Sequence, residues 1–358
     1  KDYTDFAKVC FEHFGDEVKN WFTFNEPHMF CTFAYGMGEH APGRCSPELQ
    51  CAIPCGDSLR EPYLVGHHIL LAHAEVASLY KDNYKGKDGR IGMALDAMCY
   101  EPYNEKTFLD KQAKERSIEF NLGWFMEPVF HGDYPFSMRA LVGHRLPHFK
   151  DDEKEKLKHS YDMMGINYYT SMFAQHIDLS PNFSPVVNIQ DAYASLTVEG
   201  CDGNPIGPDT GTGWIRSYPK GLKELLMIMK DRYGNPPMYI TENGTADYDD
   251  GNLSMKDALN DCIRLDYLQR HISVLKESID SGADVRGHFT WSLLDNFEWA
   301  LGYTSRFGLI YVDRNDGFKR YMKRSARWFK EFNSARGKMT DEDNADTVHE
   351  PSLLISNN

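Results

Sequence analysis

The sequence predicts an α/β fold in which a parallel sheet is wrapped by helices, and three observations carry that prediction. Five short apolar runs, at 21–27, 90–96, 163–169, 237–244 and 285–294, are rich in β-branched and aromatic residues and read as buried parallel strands. Segments of helical period at 62–80, 107–123, 154–161, 219–233 and 254–281 fall between them, an alternation that builds parallel sheets. The length of 358 residues suits one large α/β barrel with insertions, and no linker-like shift in composition divides the chain.

Taken in order, Lys1 to Phe14 reads as the interior of an amphipathic helix, with Phe6, Val9, Cys10 and Phe14 as its apolar face and Gly15 as its stop. The chain is therefore expected to open in mid-fold, processing or truncation having removed what came before. The strands WFTFNEP, RIGMALD, MMGINYY, PMYITENG and VRGHFTWSLL follow, each separated by helix. Two stretches break the rhythm. Residues 170–218, rich in Ser, Pro, Asn, Gly and Asp, read as an active-site loop, and residues 335–358 as a frayed polar tail after a domain spanning 1–334.

Composition narrows the partners. The net charge of −14 repels a phosphate backbone and no basic run offsets it, so nucleic acid is excluded. No apolar run approaches the length of a membrane span. The eight cysteines are too sparse for a disulfide scaffold. Cys45, Cys51 and Cys55 nevertheless crowd into one turn-rich loop, where a small disulfide, with Cys45 and Cys51 as the candidates, competes with three free thiols. His67, His68 and His73 lack any metalloprotease spacing and read as core or helix-surface residues; no metal and no cofactor is implied. Asn182, Asn243 and Asn252 head formal glycosylation sequons, the second inside the motif described next.

In a parallel barrel the chemistry sits at the carboxyl ends of the strands. Two of those ends carry a glutamate: Glu26 closes WFTFNE and Glu242 closes MYITE. A carboxylate at the end of a buried strand is costly unless paired, hydrogen-bonded or set in a cleft, and two in one mouth point to acid–base or nucleophilic work.

These motifs, TFNEP at 23–27 and ITENG at 240–244, resemble those of glycoside hydrolase family 1, as do GINYYT at 165–170, WSLLDNFEWALGYTSRFGL at 291–309 and KRSARWF at 323–329. GDYPFSM at 132–138 and HIDLSPN at 176–182 are most similar to the grass, dhurrinase-like members. The resemblance implies a (β/α)8 barrel that hydrolyses β-glucosides with retention, with Glu26 as acid/base and Glu242 as nucleophile about 5 to 5.5 Å apart. It also implies sugar contacts from Asn25, Asn167, Trp291, Glu298 and Trp299. Tyr169 is expected to donate a hydrogen bond to Glu242, and Trp214, Phe33 and Phe307 to line the slot for an aromatic aglycone, roomy beside Ala300. The implied partner is a small β-glucoside of plant defence type, a homo-oligomer being left open, as is a plastid or a secretory or vacuolar address.

By the same resemblance the acid/base motif belongs on the fourth barrel strand, so only strands four to eight are expected here. A glutamine, an arginine and a histidine of the first three strands have no counterpart, and the open edges would expose unpaired backbone groups. Two hypotheses follow: the larger part of a β-glucosidase, or an inactive fragment serving at most as a sugar-binding or interaction module.

Overall fold

A computed structural model describes residues 1–336 except 87, 181, 182, 250 and 252. Its centre is a five-stranded parallel sheet in sequential order: β1 (Asn20–Asn25), β2 (Arg90–Asp96), β3 (Met163–Asn167), β4 (Met238–Glu242) and β5 (Val285–His288). All five apolar runs become its strands, though pairing stops at His288 and leaves 289–294 as the start of a loop. The inner strands β2 and β3 are almost wholly buried and β4 is buried at Met238 and Ile240, whereas β1 and β5, at the two edges, are only partly so.

Six longer helices clothe the sheet: α1 (Asp2–Phe14), α2 (Glu61–Asn83), α3 (Phe108–Ile118), α4 (Pro219–Arg232), α5 (Cys262–Asp280) and α6 (Arg324–Arg336). Leu70 of α2 and Leu226 of α4 meet Met93, Leu95, Met164, Ile166 and Ile240 of the sheet in one core, which supplies most of the apolar burial. The predicted helix at 254–281 divides at Asn260 and Asp261, and that at 107–123 passes at Glu119 into a wider turn before a further helix at Trp124–His131. The predicted 154–161 is a short helix at Asp151–Leu157.

Three expectations need correction. The apolar face of α1 is not Phe6, Val9 and Phe14, which are exposed; Ala7 and Phe11 are buried, Phe11 lying against Trp21 and Tyr80. Residues 170–218 are more than a loop, since Ser171–His176 pairs in parallel with Cys99–Pro102 and antiparallel with Ala194–Thr197 in a second, three-stranded sheet. The boundary at 334 falls inside α6, which runs to Arg336; the rest of the expected tail lies outside the described residues.

Cys45 and Cys51 form a disulfide, and Cys55 is an exposed thiol. His73 is buried with Nδ1 2.8 Å from Thr23 Oγ1, His67 lies 2.9 Å from the Tyr134 hydroxyl, and His68 is exposed. Asn243 is buried, while Asn182 and Asn252 lie outside the described residues. No helix among the described residues is long and apolar enough to cross a membrane, and no group of three His, Cys, Asp or Glu side chains among them could hold a metal ion.

Candidate active site

Strand register assembles a polar layer at the carboxyl end of the sheet. Asn167, the last residue of β3, pairs with Asp96 at the end of β2 on one side and with Glu242 at the end of β4 on the other. Across β2, Asn25 pairs with Ala94, and Glu26 follows it out of the strand. Glu26 adopts a left-handed backbone (φ 47°) immediately before Pro27, a strained conformation of order 1 kcal/mol that turns the chain sharply after the strand.

Asn167 ties the layer together. Its Nδ2 donates to Glu26 Oε1 at 2.9 Å and to Asn25 Oδ1 at 3.0 Å, while its Oδ1 accepts from Thr241 Oγ1 at 2.5 Å. The Tyr169 hydroxyl donates to Glu242 Oε2 at 2.6 Å. Beneath it, Tyr267 donates to the Tyr169 carbonyl at 2.7 Å, and the Asn243 amide donates to the Tyr168 carbonyl at 2.8 Å.

The two glutamates sit in different fields. Burial first, then the charges of Asp96 and Glu242, push Glu26 up to about 8, against the bond from Asn167. Burial also raises Glu242, but hydrogen bonds from Tyr169, Asn25 and Asn167 favour its anion. Glu26 is thus the carboxyl that keeps its proton at neutral pH, and Glu242 the one better provided with donors for ionisation. Two carboxyls so differentiated can divide proton donation and nucleophilic attack between them.

On the loop after β5, Trp291 donates to Glu298, whose carboxyl burial raises above its ordinary range. Trp214, half-exposed, lies 5.9 Å from the Tyr169 ring, and Phe33 joins a stack in which the His40 ring lies 5.2 Å from Phe33 and 5.3 Å from Trp299. Trp299 itself is 65% exposed and Ala300 beside it is exposed. Phe307 is a correction. At 2% exposure it is packed under Tyr169, edge on at 5.9 Å, where it supports that ring and cannot wall a slot.

Sequence reasoning missed a third carboxylate. Asp96 Oδ2 lies 2.9 Å from His28 Nδ1 and accepts from Asn121 Nδ2 at 3.0 Å, while its Oδ1 is buried without a hydrogen-bond partner. The signal was present, because Asp96 closes RIGMALD as Glu26 and Glu242 close their strands. His40 had no such signal; only the fold brings it between Phe33 and Trp299.

Known proteins share this arrangement of chain. The family model described as Glycosyl hydrolase family 1 matches residues 1–338. Avenacosidase 2 of Avena sativa is 64% identical over 336 residues, covering 94% of this chain and 58% of the relative. The Triticum aestivum enzyme named 4-hydroxy-7-methoxy-3-oxo-3,4-dihydro-2H-1,4-benzoxazin-2-yl glucoside beta-D-glucosidase 1b, chloroplastic, is 65% identical over 334 residues, covering 93% of this chain and 58% of its own. This chain thus spans somewhat more than half the length of these relatives. Among solved structures, a rice β-glucosidase superposes with a TM-score of 0.89 at 45% identity, covering 92% of this chain and 69% of that one. A β-glucosidase of the fungus Humicola insolens in complex with glucose gives 0.88 at 36% identity, covering 93% and 69%. On the family match over residues 1–338 and these identities, the chain belongs to glycosyl hydrolase family 1.

Proposed function

We propose that this chain carries the catalytic apparatus of a retaining β-glucosidase acting on plant defence glucosides with aromatic aglycones. The observation that supports the reading most is the pair of strand-end carboxyls, Glu26 and Glu242, which share Asn167 yet sit in different fields. In the first step Glu26 gives its proton to the glycosidic oxygen while Glu242 attacks the anomeric carbon, breaking that bond and forming a glycosyl ester. In the second, Glu26 takes a proton from water, which displaces Glu242 from the sugar with a second inversion.

Asn25 and Asn167 serve the glucose hydroxyls nearest the reacting carbon, Trp291 its ring face, and Glu298 with Trp299 its far hydroxyls. Trp214 and Phe33 border the aglycone, beside the room left at Ala300. The substrate class follows the relatives, whose printed names include an avenacosidase and a benzoxazinone glucoside glucosidase. The partner is then a small β-glucoside, and self-association is settled by the mass of the folded protein in solution.

The five-stranded sheet corresponds, in this reading, to strands four to eight of an eight-stranded barrel, within a domain that includes all of α6 to Arg336. The partly buried edges β1 and β5 support it. The same edges favour a second reading, in which the chain by itself binds sugar without turning it over.

Incubation with an activated 2-deoxy-2-fluoro-β-glucoside tests the first reading. An ester on Glu242, located by peptide mass, together with retention at the anomeric centre for an ordinary aryl glucoside, is the expected result. Labelling at another residue, or inversion, overturns it.

A further inference from the structure

A cluster of buried charge lies behind the candidate site and is not used by the chemistry above. Arg264 and Lys323 have no exposed side-chain surface, nor do Asp261 and Asp295. Arg264 pairs with Asp261 at 2.6 Å and Asp247 at 2.7 Å, and donates to the carbonyls of Thr245 at 3.0 Å and Arg306 at 2.5 Å. Lys323 lies 3.1 Å from Asp295 and 3.6 Å from Asp247. Arg306 pairs with Asp295 at 2.9 Å and with Asp249 at 2.5 Å. Asp295 also accepts from the backbone amides of Gly308 and Val312.

Three of the four anions belong to two loops, while Asp261 stands at the N-cap position of α5. Asp247 and Asp249 follow Glu242 on the loop after β4, and Asp295 stands between Trp291 and Glu298 on the loop after β5. The loops also meet directly, for the Trp291 amide donates to the Asn243 carbonyl at 3.1 Å, and a Cβ on Gly244 would collide with the Trp291 carbonyl oxygen. Buried ion pairs are often no more stabilising than apolar side chains of the same volume, so stability alone does not account for three cations held among four carboxylates. What such a cluster does fix is geometry, since each charge has only one arrangement in which its partners are satisfied.

We propose that Asp295 and Asp247, joined through Lys323, are positioning residues that lock the loop bearing Trp291 and Glu298 to the loop following Glu242. The inference rests on the sugar-site reading of those two loops. If it holds, the sugar grip and the nucleophile cannot drift apart, and their relative placement is set from behind by a cation that touches neither substrate nor Glu242.

Two measurements on the whole chain test it. In the double variant Asp295→Asn with Lys323→Met, which removes both charges of that pair while Arg306 keeps Asp249 and Asp247 keeps Arg264, amide hydrogen exchange should quicken at least tenfold in 243–249 and 305–312 together, with β2 and α2 unchanged. Quickening confined to 305–312, with 243–249 as protected as in the parent, overturns the coupling. In parallel, the double variant of a glucoside-hydrolysing preparation should lose at least tenfold in kcat with KM within threefold of the parent. An unchanged kcat overturns the inference as well. A parent without turnover counts against the proposed function, while the exchange experiment still decides this one.

Discussion

Asn167 holds Glu26 by a single 2.9 Å hydrogen bond from Nδ2, and the same nitrogen reaches Asn25 at 3.0 Å, so one buried amide fixes both residues at the end of β1 from a strand two places away. Replacing Asn167 by Ala removes the donor that favours the Glu26 anion and leaves Thr241 without its acceptor. The Glu26 carboxyl should then titrate above its present value of about 8, and the protein should lose about 1 to 3 kcal/mol of stability. Titration of the Glu26 carboxyl by infrared difference spectroscopy and thermal denaturation check the two parts; a fall in the Glu26 value contradicts the first.

The same raised value makes a prediction about folding that needs no substrate. A carboxyl that binds its proton more tightly when folded stabilises the protein below its unfolded value of about 4.5. That contribution is lost as pH rises towards 8. Glu26→Gln cannot ionise, so its stability relative to the parent should climb between pH 4.5 and 8 and level off above, by up to about 5 kcal/mol. Denaturant midpoints across that range measure it, and a flat difference would show that Glu26 is not perturbed.

For an active preparation, the roles of the two carboxyls separate by leaving group. Glu242→Gln should abolish turnover of all β-glucosides, whereas Glu26→Gln should spare the first step when the aglycone departs readily. Azide should partly restore the Glu26 variant, because it attacks the glycosyl ester without base assistance. Equal losses on an activated aryl glucoside contradict the assignment.

Trp214 stands beside Tyr169 with much of its ring open. Trp214→Ala should weaken flat aryl glucosides by about 1 kcal/mol while short alkyl glucosides change less, since only the former lose stacking area. Ratios of kcat/KM for the two classes give the answer, and a uniform loss would remove Trp214 from the slot.

Phe289, Leu293 and Phe297 are exposed on the β5 side of the sheet, as Phe6, Val9 and Phe14 are on α1. These exposed apolar side chains should bind a hydrophobic dye and drive self-association with rising concentration. Light scattering and dye fluorescence check this; a monodisperse monomer that leaves the dye dark would contradict it.

The five strands were legible because each lies in a short run rich in β-branched, aromatic and other apolar residues that alternates with helical segments, the pattern of a parallel sheet. The face of α1 was not legible, since Phe6, Val9 and Phe14 form as good a stripe as Tyr3, Ala7 and Phe11. Only the positions of Trp21 and Tyr80 decide which stripe is covered. The strands within 170–218 hid behind polar composition because Ala194–Thr197 lies at the edge of a small sheet and buries little. Glu26 and Glu242 stood out as glutamates ending strands, whereas Asp96 ends its strand with a shorter carboxylate and lies outside the motifs that mark the other two. The Lys323 cluster draws on residues from 247 to 323, a separation that no local pattern records.

The buried amide of Asn243 bears on the choice of expression host. Asn243, Gly244 and Thr245 spell an acceptor for N-linked glycan, yet in the folded chain Asn243 Nδ2 is engaged by the Tyr168 carbonyl and lies against the Tyr267 hydroxyl at 3.1 Å, without access to solvent. An oligosaccharyltransferase can reach it only before folding, and a sugar attached there would occupy the space of the β4 terminus. A eukaryotic secretory host therefore sets glycosylation against folding at this asparagine, whereas a bacterial cytoplasm leaves Asn243 unmodified.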